Sequence, residues 1–435
     1  MHGTRGRSRT VQHAATSPYR FGVARSVAAV ALSVALFVVS TAGFLYQSFA
    51  RQVEDSALDI SGLGASPQSG PQEPELPADQ FQGRPLNILL VGVDSREGEN
   101  ANVGAGDSSD VESLRGDTTM VVHVSADRSR IQVVSIPRDT WTDIPSCTRM
   151  DGSVSGSTEG MFNTAFAIGA NWGTDIASGI ACTKSTVEEM TGLTIDAFGV
   201  VDFAGFISMV NALGGVWFNL DEPAYDELAR LDLPAGCQLL NGDQALSYAR
   251  ARYDLGDGSD ISRIGRQQQL VSAIMRELLA KNYVTDFPAL VSFLQASIGS
   301  LKISPNLSDI NTDAGLLLSL LDIDRAQIQF ITMPNAPAPW DKNRVIAVEP
   351  MATMVWDSLI ADQPLPPSTE YTDGNGQVLV VPDPDLAPSP GEGAESGVQS
   401  DPADGSSPAA DQQEPSADPA AQSAPAPTQT CPPNR

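Results

Sequence analysis

Histidine is nearly missing from this chain: three in 435 residues, two of them (His2, His13) close to the N-terminus. The third, His123, sits within the apolar run TTMVVHVS, where a structural role is expected rather than a catalytic one. Histidine acid–base chemistry therefore has almost nothing to work with. The four cysteines (Cys147, Cys182, Cys237, Cys431) form no CxxC and no Cys/His cluster, which argues against a zinc site. No GxxxxGK[ST] is present, so a P-loop nucleotide enzyme is excluded. Positive charge is scarce as well: 26 basic against 53 acidic residues give a net charge of -27. Such a surface repels nucleic acid, and any phosphate site has to be built locally from arginine.

The scarce positive charge is unevenly placed. Arg5, Arg7, Arg9, Arg20 and Arg25 precede any acid, the first of which is Glu54. Ser26–Tyr46 is an uncharged, largely apolar run of 21 residues, close to the roughly 20 that cross a bilayer as a helix. The charge asymmetry places residues 1–25 in the cytoplasm, residues 26–46 in the membrane and the remainder outside. A cleaved signal peptide is the alternative, with Ser48–Ala50 as a small-x-small site, but the run is long for such an h-region. Residues 47–83 read as a polar linker. The last segment, residues 366–435, reads as an acidic, Pro/Ala/Gly/Ser-rich disordered tail, with Arg435 its only basic residue from Asp383 onward.

Residues 84–365 carry the folding signal. LNILLVGV (86–93), TTMVVHVS (118–125) and IQVVSIP (131–137) are short apolar strands, the last two joined by a tight turn. EGMFNTAFAIGANWG and GIACTKSTVEEMTGL read as helices ending at glycine. FGVVDFAGFISMVNALGGVWFNL reads as strand, helix and strand, with Gly214–Gly215 as the helix stop. Ser262–Lys281 is the clearest helix, with Leu270, Ile274 and Leu278 in one stripe, and AQIQFITMP is a late strand. The expected fold is α/β, a mixed central sheet layered with helices. An exported chain permits disulfides. Cys147 and Cys182 flank the first short helix and are the expected bridge, while Cys237 can reach either of them or Cys431 across the tail.

Two sets of residues carry chemistry. Asp94 and Arg96 follow the first strand, Asp117 opens the second in RGDTT, and Arg138 and Asp139 close the third in SIPRDT. Charges beside buried strands are costly unless they share a polar site, and strand ends are where α/β sheets bind ligands. The second set is Arg250, Arg252, Arg263 and Arg266, four arginines within 17 positions. Arg263 and Arg266 fall on the first turn of the long helix, where a cation opposes the helix dipole unless an anion lies between them. A surface network with Asp254, Asp257 and Asp260 is the competing reading. Together the sets describe a pyrophosphate site: carboxylates for a hard divalent cation, guanidiniums for the remaining phosphate oxygens.

The ordered set NILLVGVDSR, RGDTT, SIPRDT, VDFAGFISMVNALGGV, GCQLLNGDQALSYARAR and SDISRIGRQQQL, spanning roughly residues 84–340, resembles the LytR-CpsA-Psr (LCP) family of its actinobacterial type. The resemblance implies a membrane-anchored enzyme that moves a glycopolymer from a polyprenyl-pyrophosphate lipid to peptidoglycan. Mg²⁺ would assist, with Mn²⁺ as a substitute. It also implies that Asp94 and Asp117 hold the metal and that Arg138, Arg250 and Arg263 contact the pyrophosphate. Arg96, Arg115, Arg252 and Arg266 would support or bind the head group. An arabinogalactan-type polymer is the expected cargo. A pyrophosphatase acting with water and a non-catalytic envelope tether are the alternatives. The chain departs from the family pattern at Gly116 and Thr119, and at Met161, which replaces the Lys of the usual KIN(A/H)A stretch.

Overall fold

The computed structural model describes residues 57–63, 79–94, 114–251, 260–280, 301–307 and 323–383, with a few isolated positions that include Cys431. The expected membrane span, Ser26–Tyr46, lies outside the described residues. Among the described residues no helix is long and apolar enough to cross a membrane.

The central element is an eight-stranded mixed sheet. Its strands are β1 (Leu86–Val93), β2 (Gly116–Val124), β3 (Ile131–Ile136), β6 (Ala197–Asp202), β11 (Leu301–Ile303), β12 (Ile328–Thr332), β15 (Glu370–Asp373) and β16 (Val378–Val380), in the order β11-β6-β1-β2-β3-β12-β15-β16. β1 pairs parallel with β6, and β3 pairs parallel with β12, while β2 runs antiparallel between β1 and β3. Hence β1, β3, β6 and β12 all point the same way, and their carboxyl ends share one edge of the fold. Every residue of β3 is buried, as expected of an apolar run covered on both faces.

The sheet's two faces bury different partners. Leu89, Val91, Val121, Val134, Phe198 and Val200 pack against α2 (Ile176–Thr191) and α6 (Met351–Ile360), through Ile180, Val187, Val355 and Trp356. A short α1 (Thr164–Gly169) adds Phe166 to that cluster. The opposite face presents Leu86, Met120, Val133, Ile328 and Phe330 to Val271 and Met275 of α5 (Asp260–Ala280). The other side of α5 gives Leu270 and Ala273 to a third cluster, formed with α3 (Phe203–Ala212), α4 (Gly242–Arg250), and the ribbons β7 (Val216–Leu220) with β10 (Gly236–Leu240) and β8 (Ala224–Asp226) with β9 (Leu231–Leu233). The single stripe expected on this helix is therefore two. It is sandwiched rather than laid on a surface, which fixes its N-terminus firmly against the sheet.

Local signals set the element ends. Asp175 and Asp202 cap α2 and α3 by accepting from Ser178 N and Gly205 N, and Asn241 with Gln244 forms a capping box on α4. α3 stops at Gly214 and Gly215, both at positive φ (84° and 98°), as the glycine pair predicts. Two hairpins complete the described fold: β4 (Trp141–Ile144) with β5 (Thr158–Met161), and β13 (Asn335–Ala338) with β14 (Asp341–Ala347).

Three expectations are settled here. Cys147 and Cys182 are bridged, with Cα atoms 5.3 Å apart, which ties the loop before β5 to α2. Cys237 pairs with Cys431, so the far end of the tail returns to β10. His123 is fully buried, hydrogen-bonded through Nδ1 to Asn87 Oδ1 (2.7 Å) and through Nε2 to Asp362 Oδ1 (3.2 Å), in the structural role expected of it. One boundary moves. The sheet continues past residue 365, because Tyr371 and Val381 pack against the core and Asp373 turns the chain by accepting from Asn375 N and Gln377 N. The short segment carries too few apolar residues for a composition argument to register it.

Candidate functional site

The register of the sheet brings the predicted residues together. Thr119 faces Ile136 across β2 and β3, so Asp117 lies opposite Arg138 two residues further on. Arg138 Nη1 donates to Asp117 Oδ1 at 2.9 Å, and its Nε lies 3.7 Å from Asp139 Oδ2. Val93 pairs with Gly116, so Asp94 leaves β1 beside the start of β2. Asp202, at the carboxyl end of β6, pairs with Val93 from the other side.

The first turn of α5 completes the cluster. Arg263 is buried, and its Nη2 donates to the carbonyl of Asp117 at 3.4 Å. Arg250, at the end of α4, lies with its guanidinium carbon 4.6 Å from the ring centroid of Phe203, the residue after Asp202. That contact holds the guanidinium at the β6 end of the same edge. Arg138, Arg263 and Arg250 thus stand beyond the carboxyl ends of the parallel strands. Arg266 is turned elsewhere: buried, it donates through Nη2 to the carbonyl of Ala251 and staples α5 to the end of α4. Arg115 is exposed beside β2. Arg96 and Arg252 lie outside the described residues, as do Asp254 and Asp257.

Three more residues belong to the site and went unnoticed in the sequence. Gln268, one and a half turns along α5 from Arg263, is buried and donates through Nε2 to Ser135 Oγ (2.9 Å) and Thr332 Oγ1 (3.3 Å), locking the helix to the ends of β3 and β12. It lies within a QQQ run that gives no hint of which glutamine faces inward. Asn163, at the start of α1, donates its backbone N–H to the carbonyl of Arg138 at 3.0 Å, and its Oδ1 is buried with no hydrogen-bond partner among the described residues. The same is true of Thr140 Oγ1, two residues past Arg138. Buried oxygens without partners cost about 1–3 kcal/mol each, and these two lie on residues joined by backbone to Arg138, where a ligand's donors would satisfy them. The backbone around Arg138 is braced on both sides: Phe162 N–H donates to the carbonyl of Thr140 (2.8 Å) and Val345 N–H to that of Asp139 (3.1 Å).

Among the described residues no three His, Cys, Asp or Glu side chains gather to hold a metal by themselves. Asp94 and Asp117, at neighbouring strand ends, supply two carboxylates, which suits a cation that takes its remaining ligands from phosphate and water.

Guanidiniums and carboxylates gather beyond the parallel strand ends of this mixed α/β domain, with a buried helix pointing its first turn at them, an arrangement that suits an anion. The sequence matches the profile of the LytR_cpsA_psr family over residues 56–359, and the chain belongs to that family. It is 38% identical over 194 residues to "Probable cell wall biosynthesis protein LcpB" of Corynebacterium glutamicum, covering 43% of this chain and 41% of that protein. It is 32% identical over 292 residues to "Cell wall biosynthesis protein LcpA" of the same organism, covering 63% and 53%. It is 30% identical over 212 residues to the "Polyisoprenyl-teichoic acid--peptidoglycan teichoic acid transferase TagU" of Enterococcus faecalis, covering 48% and 58%. The matches span about half the length of these curated relatives. The crystal structure of protein gbs0355 from Streptococcus agalactiae superposes with a TM-score of 0.50 at 21% identity, over 64% of this chain and 88% of that one, a likeness of fold.

Proposed function

We propose that the chain is a membrane-anchored, extracytoplasmic phosphotransferase that moves a glycopolymer from a polyprenyl-pyrophosphate carrier onto peptidoglycan. The observation that carries this reading is the convergence of Arg138 and Arg263 on Asp117 at the strand ends, with Arg250 held on Phe203 at the same edge. The name of the E. faecalis relative, a polyisoprenyl-linked polymer transferase, supports the same chemistry. In the proposed step an acceptor hydroxyl oxygen forms a bond to the sugar-linked phosphorus. The bond from that phosphorus to the bridging oxygen breaks, and polyprenyl phosphate leaves with the electron pair. The hydroxyl proton passes to solvent.

Positive charge placed where negative charge grows stabilises the transition state more than the ground state. Arg138 and Arg263 are positioned for this by backbone bracing and by Gln268, so little reorganisation is needed when the bond breaks. Asp94 and Asp117 are the residues that would hold Mg²⁺, and the chemistry it would supply there is neutralisation of phosphate charge. Mn²⁺ offers the same oxygen-seeking chemistry. Arg250, held on Phe203, is assigned with Arg138 and Arg263 to the pyrophosphate, and Arg115, Arg96 and Arg252 to the head group. Arg266 keeps its assignment to the site only through α5, whose first turn it anchors. An arabinogalactan-type polymer is the proposed cargo, because the motifs are of the actinobacterial type and two relatives are corynebacterial cell wall proteins.

Water in place of the acceptor would make the same site a pyrophosphatase. The experiment separating the two is product analysis with and without peptidoglycan: polymer bound covalently to peptidoglycan supports transfer, whereas free phosphorylated polymer at the same rate under both conditions supports hydrolysis.

A further inference from the structure

Two tryptophans stand next to the strand-end site. Trp141 opens β4, three residues past Arg138, and Trp340 occupies the turn between β13 and β14. Their ring centroids lie 6.4 Å apart with planes at 77°. Trp340 is 62% exposed and Trp141 is half-buried. An offset stack would have hidden one face of each ring against the other, whereas this edge-to-face arrangement leaves indole faces open at a corner.

The corner is fixed relative to Arg138. Thr140 bridges Val345 of β14, and Val345 N–H donates to the Asp139 carbonyl at 3.1 Å. The two hairpins carrying the tryptophans are therefore joined by backbone beside the residues that follow Arg138. Pro137–Thr140 is a turn closed by Thr140 N–H donating to the Pro137 carbonyl at 3.1 Å, so Trp141 follows Arg138 by at most roughly 10 Å of chain and the corner begins within a few sugar rings of the proposed phosphate. Trp340 is exposed and set against a second indole beside the proposed phosphate site, which leaves it open to a ligand.

The chemistry of the indole selects the occupant. It offers a flat apolar face and a single N–H at its edge, which matches a hexose ring, apolar C–H on its faces and hydroxyls around its rim. The carrier lipid already has a pyrophosphate for the arginines to hold. The acceptor has none, and the net charge of -27 repels acidic groups along it. Uncharged stacking contacts suit the acceptor's sugar rings. We propose that Trp141 and Trp340 form a stacking platform for a sugar ring of the acceptor glycan strand. This inference rests on the transferase reading and adds to it the place where the acceptor docks.

The test uses the full chain in detergent. Binding to purified peptidoglycan sacculi is measured by co-sedimentation, and binding of a soluble β-1,4-linked N-acetylglucosamine oligomer by tryptophan fluorescence. Trp340→Ala should weaken both and raise the acceptor KM about tenfold, the loss of one aromatic contact. Hydrolysis of the lipid donor without acceptor should be unchanged. Trp340→Tyr should recover most of the binding. Absence of sacculus binding by the unmodified chain, or binding by Trp340→Ala equal to it, would overturn the platform. So would a fall in donor hydrolysis, which would put the pair on the donor side. Tryptophan-dependent sacculus binding by a chain that transfers nothing would instead overturn the transferase reading and leave the platform standing.

Discussion

Replacing Arg138 separates catalysis from stability, because the structure predicts a large effect on one and a small effect on the other. The Arg138–Asp117 pair is close, at 2.9 Å, but its side chains are 18% and 30% exposed. A pair this open to water contributes about 1 kcal/mol or less to folding. Arg138→Ala should therefore move the urea midpoint only slightly. The same guanidinium, if it meets the phosphate charge that grows as the carrier bond breaks, contributes far more to the transition state. Loss of one such donor lowers rate about a hundred- to a thousandfold, or roughly 3–4 kcal/mol. Arg138→Lys should recover little, since a point charge does not reproduce the planar fork that reaches Asp117 and a phosphate oxygen together. The assay is polymer transfer, with pyrophosphate hydrolysis in parallel, on proteins matched by circular dichroism and urea unfolding. Near-wild-type rates in both variants, or a rate loss that tracks a large loss of stability, would refute the reasoning. Loss of transfer with hydrolysis intact would move Arg138 from the leaving phosphate to the acceptor.

Asp117→Asn should lower transfer and weaken its dependence on Mg²⁺ with the fold retained; unchanged Mg²⁺ dependence would place the metal elsewhere. Cys147→Ser, which opens a loop of 35 residues, should cost about 2–4 kcal/mol in chemical unfolding, and an unchanged midpoint would show the bridge to be idle. Burial lowers the pKa of His123 below its ordinary 6.5, an effect that Asp362 partly offsets. The folded state then binds fewer protons than the unfolded chain. The resulting stability is fully present above pH 6.5 and is lost as pH falls through the depressed value, so the urea midpoint should drop on acidification and His123→Gln should flatten that drop.

Much of the fold was legible because its core strands are continuous apolar runs: β1, β2, β3 and β12 lie where LNILLVGV, TTMVVHVS, IQVVSIP and AQIQFITMP place them. The convergence of Asp117 and Arg138 was legible too, since charges at the ends of adjacent strands have few other places to go. What the sequence hid was direction and depth. Arg263 and Arg266 are three residues apart on one helix, yet one reaches Asp117 and the other the end of α4, a difference set by how α5 lies between two cores. Gln268 was invisible for the same reason. Trp340 gave no signal because its proximity to Trp141 depends on the pairing of two hairpins almost 200 residues apart in the chain. Strands as short as β15 and β16 fall below what periodicity detects.

The central claim is that this chain transfers polymer from a lipid pyrophosphate to peptidoglycan, and the direct measurement is a reconstituted reaction. The full chain, Mg²⁺, a polyprenyl-pyrophosphate glycopolymer with radiolabelled sugar, and purified peptidoglycan are incubated together. After digestion of the wall, label should appear on muropeptide fragments, with polyprenyl monophosphate released in equal amount and neither product formed by Arg138→Ala. Label that stays on lipid, or that appears only as free polymer whether or not peptidoglycan is present, would contradict the account.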